Sequence, residues 1–274
     1  MAELESQAEK PKTERRIERK VEIEAPIKNV WKALTEARAL KNWFPLDARV
    51  TPGLGGKIFM SWGADCEGEA EIVAWNPGKH FAWREPTAQI DFTLEPHGHK
   101  SLVRLVQSSS SGGSDWENEW FESTSYGWGF MLASLRWWLE VHSHETRLVT
   151  WRRVKVTWSR EDAYRRLTAT KFLFTEHPAE VLRDGAAYKL RAATGERLSG
   201  VVEFIRVDRG FCVTVEELNK ALLWFSIEGT APNIEVQVWL SAFGLSQLQA
   251  AEFGDRWEKQ IRSVFSDKDS SNSQ

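Results

Sequence analysis

The sequence predicts an α+β protein made of two tandem domains, each a curved antiparallel sheet wrapped around a long C-terminal helix. Three observations predict this fold. The 274 residues suffice for two domains of ordinary size. The first half has the pattern of one strand, two helices, five strands and a long helix. The second half repeats this pattern 133 positions later.

The first domain begins with a strand and two helices. Residues 17–23 alternate between apolar and charged side chains, as a half-buried strand does. Ala25-Pro26 then starts a helix, because proline suits the first helical turn, and apolar side chains recur at helical spacing over 27–34. A second short helix is predicted over Ala37–Trp43.

Five strands separated by glycine and proline turns follow, and a long helix closes the domain. The serine-rich segment Ser108–Ser114 is predicted to be a flexible loop. From about Asp115 to Val141, apolar side chains recur at steps of three and four residues, which predicts a helix with one apolar stripe. The predicted strands are Gly56–Trp62, Gly68–Trp75, Lys79–Glu85, Gln89–Glu95 and Ser101–Ser108.

The internal repeat indicates a tandem duplication. Residues 21–23, 30–35, 92–95 and 103–108 correspond in kind and order to 154–156, 163–168, 225–228 and 236–241. A nearly constant offset across several elements is hard to obtain by chance. The predicted organisation is a first domain over 16–143 and a degenerate copy over 144–266, with disordered segments at 1–15 and 267–274.

Composition excludes several function classes. The net charge is −3 and the isoelectric point is about 6.1, so no global basic field would attract nucleic acid or anionic lipid. No run of about 18 apolar residues predicts a membrane span, and the charged first residues do not resemble a signal peptide. Cys66 and Cys212 are too few and too far apart for a metal site or a disulfide framework, which favours the reducing cytoplasm.

The chain is rich in tryptophan. It has 15 tryptophans, and ten of them precede residue 144. An indole ring is costly to bury completely, because its N–H needs a partner. So many rings in one small domain predict large aromatic walls.

Several segments of the first half resemble a known superfamily. These are residues 16–26 (RIERKVEIEAP), 30–35 (VWKALT) and 40–44 (LKNWF), with Gly55-Gly56-Lys57 and the Gly127-Trp128 helix. They resemble the SRPBCC (START-like, helix-grip) superfamily, and most closely its subfamily named for homologues of the activator of heat shock protein 90 ATPase. The resemblance covers 16–142. Residues 147–265 keep the fold pattern but lack the motif residues.

The resemblance implies a deep cavity between the sheet and the last helix, used for lipids, polyketides or other apolar ligands. We therefore expect the first copy to bind a hydrophobic small molecule or lipid without catalysis or a cofactor. The alternative for the aromatic rings is that they fill the core and leave no room. The predicted lining residues are Trp43, Phe59, Trp62, Trp83, Phe92, Trp128, Met131 and Leu135.

Two other functions remain open at the sequence level. A chaperone is an alternative partner, although the separate N-terminal domain that makes much of the chaperone contact in the eukaryotic activators has no counterpart in this sequence. A cyclase or hydratase on the same fold would need a polar residue inside the cavity, and the sequence identifies no compelling one. We expect the second copy to be structural or an interaction surface, with Tyr188, Phe204, Trp224 and Trp239 as its core or pocket residues.

The remaining polar clusters favour ordinary surface roles. Glu67, Glu69 and Glu71 share one strand face, and we expect that face to be solvated. The histidine pairs at 97–99 and 142–144 lack a further ligand at metal-binding spacing, so no metal is predicted. Asp91 should lie on the opposite face of its strand from Phe92.

Overall fold

The chain forms two antiparallel sheets, each followed by a long helix, and is therefore a pair of tandem helix-grip domains, as predicted. The structure is a computed structural model that describes residues 13–63, 66–111, 113–176 and 178–266. Contacts divide the chain into two compact units. One comprises Met1–Lys41 and Pro45–Ser125, and the other comprises Asn42–Phe44 and Tyr126–Gln274. Most of the predicted disordered segments, 1–12 and 267–274, lie outside the described residues.

The first sheet has seven strands in the order β1-β7-β6-β5-β4-β3-β2, and all neighbours are antiparallel. Its two short helices follow β1. The element bounds are β1 Thr13–Ile23, α1 Ile27–Thr35, α2 Ala37–Leu40, β2 Asp47–Val50, β3 Lys57–Ser61, β4 Glu67–Asn76, β5 His80–Arg84, β6 Ala88–His97, β7 Lys100–Ser111 and α3 Asp115–Val141.

Strands β1 and β7 extend furthest beyond the strands that the sequence predicts. β1 begins at Thr13, inside the segment predicted to be disordered, and β7 runs to Ser111, inside the predicted flexible loop. The two extensions pair with each other, because Thr13 pairs with Ser111 and Arg16 pairs with Ser108. The partner strand supplies the backbone hydrogen bonds that a run of serines would otherwise make with water.

Two other boundaries also differ. The second short helix ends at Leu40 and does not continue to Trp43. Strand β2, with four residues, was not predicted. Four residues are too few for alternation of side chains to stand out, and this strand is defined by its pairing with β3.

The two faces of the first sheet differ in chemistry. The inner face carries fully buried side chains such as Ile58, Ile72 and Phe92. The outer face carries the exposed carboxylates Glu67, Glu69 and Glu71 of β4, as predicted. Asp91 also lies there, on the opposite side of β6 from Phe92, and accepts a 2.9 Å hydrogen bond from Gln89.

The second sheet has six strands in the order β8-β13-β12-β11-β10-β9. Helix α6 follows it and begins with a capping box formed by Ser246 and Gln249. The element bounds are β8 Arg147–Val156, α4 Arg160–Thr168, α5 Pro178–Val181, β9 Ala187–Arg191, β10 Arg197–Arg206, β11 Gly210–Val215, a 3₁₀ turn Glu216–Leu218, β12 Ala221–Glu228, β13 Ile234–Phe243 and α6 Gln247–Phe265.

Helices and β-bulges recur at equivalent positions of the two domains. Helices Ile27–Thr35 and Arg160–Thr168 begin and end 133 positions apart. A β-bulge interrupts β4 between Ile72 and Ala74, and another interrupts β10 between Val202 and Phe204, 130 positions later. A bulge is a specific departure from regular pairing. Its recurrence at the same place in both sheets supports the predicted duplication.

The second sheet buries both faces within its own unit. On the inner face, Phe225 and Phe174 pack against Trp257 of α6, with ring centroids 4.9 and 5.8 Å apart. On the outer face, Phe130 of α3 stacks on Trp224 at 4.4 Å. Residues 126–141 of α3 therefore present an apolar surface besides the predicted stripe, and the helix is apolar around most of its circumference.

Candidate ligand-binding site

A cavity of about 290 Å³ lies at one end of the first sheet, and its lining includes residues from both sides of strand β4. It is bounded by strands β3 and β4 and by the turn that joins β5 to β6. Its lining combines apolar side chains with carboxylates at the rim. The lining residues are Met60, Trp62, Cys66, Glu67, Gly68, Glu69, Ala70, Glu85 and Pro86.

The space comes from two small residues on neighbouring inner-face positions. Gly68 is paired with Met60, and Ala70 is paired with Ile58. Directly paired residues of antiparallel strands lie on the same face. Met60 and Ile58 of β3 are therefore next to residues of β4 that have no side chain or only a methyl group. A Cβ added to Gly68 would meet no atom within 4 Å. The cavity is therefore open at this glycine.

Next to the cavity lies a buried layer of aromatic rings, none of which lines it. Trp83 of β5 stacks on Phe92 of β6, with centroids 5.6 Å apart, and Phe81 packs against Trp83 at the same distance. All three rings are buried. The indole N–H of Trp83 donates a 3.1 Å hydrogen bond to Oε1 of Glu85, which places a lining carboxylate at the edge of this layer.

The rim carries more negative than positive charge. Glu67, Glu69 and Glu85 all contribute to the lining. Lys57 pairs with Glu69 on the exposed outer face, and hydrogen bonding to that carboxylate raises the pKa of Lys57. Apolar walls with a few polar groups at the edge are the usual chemistry of a small-molecule site.

The eight residues predicted to line a pocket do not lie together: four belong to the first unit and four to the second. Trp62 lines the cavity, and Trp83 and Phe92 form the buried layer beside it. Phe59 lies on the outer face of β3, where the guanidinium carbon of Arg49 is 3.7 Å from its ring centroid. It has the opposite orientation from Met60 because successive strand residues alternate.

The other four predicted residues lie in the second unit. Trp43 and Trp128 both stack on Phe44, with ring centroids 5.0 Å and 5.1 Å away. Leu135 of α3 is fully buried and Met131 is half-buried. No described cavity lining brings these residues together with Trp62.

Of the nine residues that line the cavity, the sequence predicted only Trp62 as a lining residue and missed the other eight, among them Met60, Glu85 and Pro86. A signal for the site did exist, because Gly68 and Ala70 alternate with three glutamates and thus mark an apolar face with little side-chain volume. The predicted lining consisted of large side chains, whereas the cavity results from the small residues Gly68 and Ala70.

The predicted pocket or core residues of the second copy serve packing. Tyr188 is buried and donates a 2.8 Å hydrogen bond from its hydroxyl to the carbonyl of Thr214. Trp224 and Trp239 are buried on the outer face of the second sheet, where Phe130 contacts both. Phe204 packs edge-on against Tyr126 at 5.7 Å.

A carboxylate with a raised pKa does exist, but outside the cavity. Burial raises the pKa of Glu203 on β10, and Arg136 of α3 forms an ion pair with it. Within the described ranges, no group of three histidine, cysteine, aspartate or glutamate side chains is arranged to hold a metal ion. In the same part of the chain, every helix is too short or too polar to cross a membrane.

A family model matches most of the first domain. Residues 24–140 match the family model described as Activator of Hsp90 ATPase homolog 1-like protein, which confirms the resemblance predicted from the sequence. The match runs from the end of β1 almost to the end of α3. No curated protein matches the chain.

Several solved structures resemble this chain. The Aha1 dimer from Colwellia psychrerythraea is 22% identical and covers 46% of this chain and 96% of that one, with a TM-score of 0.41. DynU16, from the dynemicin biosynthetic locus, is 18% identical and covers 92% and 96%, with a TM-score of 0.41. Protein BH1534 of Bacillus halodurans is 18% identical and covers 47% and 99%, with a TM-score of 0.42.

Proposed function

We propose that this chain, whose residues 24–140 match the family model described as Activator of Hsp90 ATPase homolog 1-like protein, binds a hydrophobic small molecule or part of a lipid in its first domain. The observation that carries the proposal is the cavity beside Met60, Trp62 and Gly68. Its volume of about 290 Å³ is at the small end for ligand sites. The ligand portion that enters is accordingly a compact apolar group of one or two rings, or a short acyl segment.

The second domain has a different role in this proposal. Its inner face carries Phe174, Phe211, Phe225 and Trp257, and each of these rings lies within 6.1 Å of at least two of the others. Side chains in such contact leave little space for a ligand. We infer that the second copy is structural and that the first copy alone retains the binding role.

A neutral fluorescent probe, N-phenyl-1-naphthylamine, tests the proposal directly. The wild-type chain should enhance its fluorescence saturably. Gly68→Leu should fill the cavity and weaken binding at least about tenfold, since a misplaced side chain removes the apolar space itself. Glu71→Leu is the matched control, because it adds the same side chain to the exposed face of the same strand. Equal binding by wild type and Gly68→Leu would overturn the proposal.

Cys66 gives a second readout of the same site. It is exposed and lines the cavity, whereas Cys212 is buried in the second domain. Bound probe should slow the reaction of Cys66 with a thiol reagent, and the slowing should disappear in Gly68→Leu. Native mass spectrometry of protein from its own host would then identify a resident ligand.

The family description favours one alternative, a regulator of a heat shock protein 90 ATPase. Mixing the purified chain with such a chaperone distinguishes the two functions. Stimulation of the ATPase rate that persists in Gly68→Leu would support the cochaperone role. No change in rate at saturating chain would exclude it.

A further inference from the structure

A second cleft lies in the first domain, at the start of α3. Its volume is about 140 Å³. Strands β1 and β7 supply Arg15 and Ser109, the turn before β6 supplies Thr87, and α3 supplies Trp116, Trp120 and Phe121. This lining shares no residue with the cavity at Met60.

The cleft contains a cation whose partners are neutral. The guanidinium of Arg15 donates to the side-chain oxygen of Asn118, and its carbon lies 5.2 Å from the ring centroid of Phe121. In the described part of the chain no carboxylate pairs with Arg15. Glu117 also lines the cleft, but its Oε2 caps α3 by accepting hydrogen bonds of 2.9 and 2.8 Å from the backbone N–H and the hydroxyl of Ser114.

The aromatic side chains of the cleft are unusually exposed. Trp116 is 68% exposed and Trp120 is 36% exposed, although most apolar side chains further along α3 are buried. Large exposed aromatic groups in a concave surface indicate a binding site more often than a packing fault. A closed cavity of about 150 Å³ binds benzene, and this cleft of about 140 Å³ is open to solvent, so its size matches a single ring.

We propose that this cleft binds a small aromatic carboxylate. The ring lies against Trp116 and Trp120, and the carboxylate accepts hydrogen bonds from the guanidinium of Arg15, whose planar donor pair matches a carboxylate. Ser109 and Thr87 add hydroxyl groups at the edge. The proposal is independent of the cavity at Gly68 and does not require that cavity to be occupied.

Titration with benzoate, followed by the indole N–H signals in a ¹⁵N-correlated NMR spectrum, tests this site. Trp116→Phe and Trp120→Phe assign the two relevant signals. Benzoate should shift both saturably, whereas benzamide and acetate, which lack the charge or the ring, should bind at least about tenfold more weakly. Gly68→Leu should leave benzoate binding unchanged, which separates this site from the one proposed above.

Substitutions of the adjacent residues Arg15 and Arg16 provide a test variant and its control. Arg15→Met should weaken benzoate binding about tenfold or more and leave benzamide unchanged, and Arg15→Lys should restore part of the loss. Arg16→Met is the control, because Arg16 points to the opposite face and pairs with Glu18 at 3.1 Å. Trp120→Ala should weaken both ligands. Equal affinity for benzoate and benzamide, or an Arg15→Met variant that is folded and binds benzoate normally, would overturn the proposal.

Discussion

The indole N–H of Trp83 donates a 3.1 Å hydrogen bond to Oε1 of Glu85, two residues further along the chain. Both side chains lie on the inner face of the first sheet, and this bond satisfies a buried donor at the point where the strand ends. The same carboxylate lines the cavity at Met60. Glu85 therefore both accepts a hydrogen bond from a buried indole and lines the candidate site.

Removal of the Glu85 acceptor should destabilise the first domain. We expect Glu85→Ala to lower the free energy of unfolding by about 1–3 kcal/mol, because a buried donor loses a hydrogen-bond acceptor. Glu85→Gln keeps an acceptor oxygen and should cost less. Urea unfolding monitored by tryptophan fluorescence measures both. Glu67→Ala, an exposed carboxylate of the same lining, is the control, and a loss as large as that of Glu85→Ala would contradict this account.

The two thiols should react at very different rates. Cys66 is exposed, whereas Cys212 is fully buried and burial raises the pKa of its thiol. The thiolate is the reactive form, so Cys212 is protected by both access and ionisation. A colorimetric thiol reagent should label one cysteine per native chain rapidly and the second only in denaturant. Cys66→Ser should abolish the rapid phase, and a rapid phase that survives this change would refute the assignment.

The contribution of Glu203 to the free energy of unfolding should decrease as the pH rises, which is the opposite of the usual effect of a carboxylate. Burial raises the pKa of Glu203 above its usual value of 4.5, against the opposing effect of Arg136. The folded state holds this proton more tightly than the unfolded state, so its contribution is present at low pH and is lost as pH rises above about 4.5 through the folded pKa. Glu203→Gln removes the titration.

The free energy of unfolding of Glu203→Gln, relative to wild type, should therefore increase from about pH 4 to about pH 7. Urea unfolding across this range measures the difference. Glu71→Gln, a change at an exposed carboxylate, supplies the control. A difference that is constant over the range would show that Glu203 titrates alike in both states.

Two helical glycines should respond in opposite ways to alanine. A Cβ at Gly254 of α6 would lie 2.1 Å from Cγ2 of Thr150, so Gly254→Ala should destabilise the second domain by about 1–3 kcal/mol. A Cβ at Gly127 of α3 would meet nothing within 4 Å. Gly127→Ala should stabilise the chain by about 0.5–1 kcal/mol, because alanine is the better helix former. Thermal unfolding compares the pair, and effects of the same sign would contradict the packing described for α6.

Phe130 should be essential to the second unit although it precedes the repeat boundary at 143. The ring is fully buried against Trp224 and Trp239. Phe130→Ala should cost about 3–5 kcal/mol by loss of buried area and creation of a cavity. Hydrogen exchange should show the loss of protection in strands β12 and β13. Trp116→Ala, at an exposed position of the same helix, should change stability by less than about 0.5 kcal/mol.

Local patterns in the sequence predicted much of the fold. The steps of three and four apolar residues placed α3 at Asp115–Val141, where the structure has it. Turn residues placed six of the seven strands of the first sheet to within a few positions, and the 133-residue offset predicted the second sheet. The helix and the strands are encoded within short windows, since helical and strand periodicities are properties of neighbouring residues, whereas the second sheet was predicted from the repeat.

The candidate site was predicted only in part. Trp62 lines the cavity and Trp83 and Phe92 lie beside it, but Phe59 faces away and Trp43 and Trp128 belong to the other unit. A one-position difference along a strand reverses a side chain. The register that decides between Phe59 and Met60 comes from their pairing with Glu69 and Gly68.

The sequence by itself predicted the two tandem domains and the order of most elements, because these follow from local periodicity and from the repeat. Only the tertiary structure decided what each face meets. Pairing of Thr13 with Ser111 extended two strands, the approach of Phe130 to Trp224 gave α3 an additional buried face, and the pairing of Gly68 with Met60 opened the cavity. These contacts join residues far apart in the chain, and their geometry depends on strand register and packing, which no local pattern specifies.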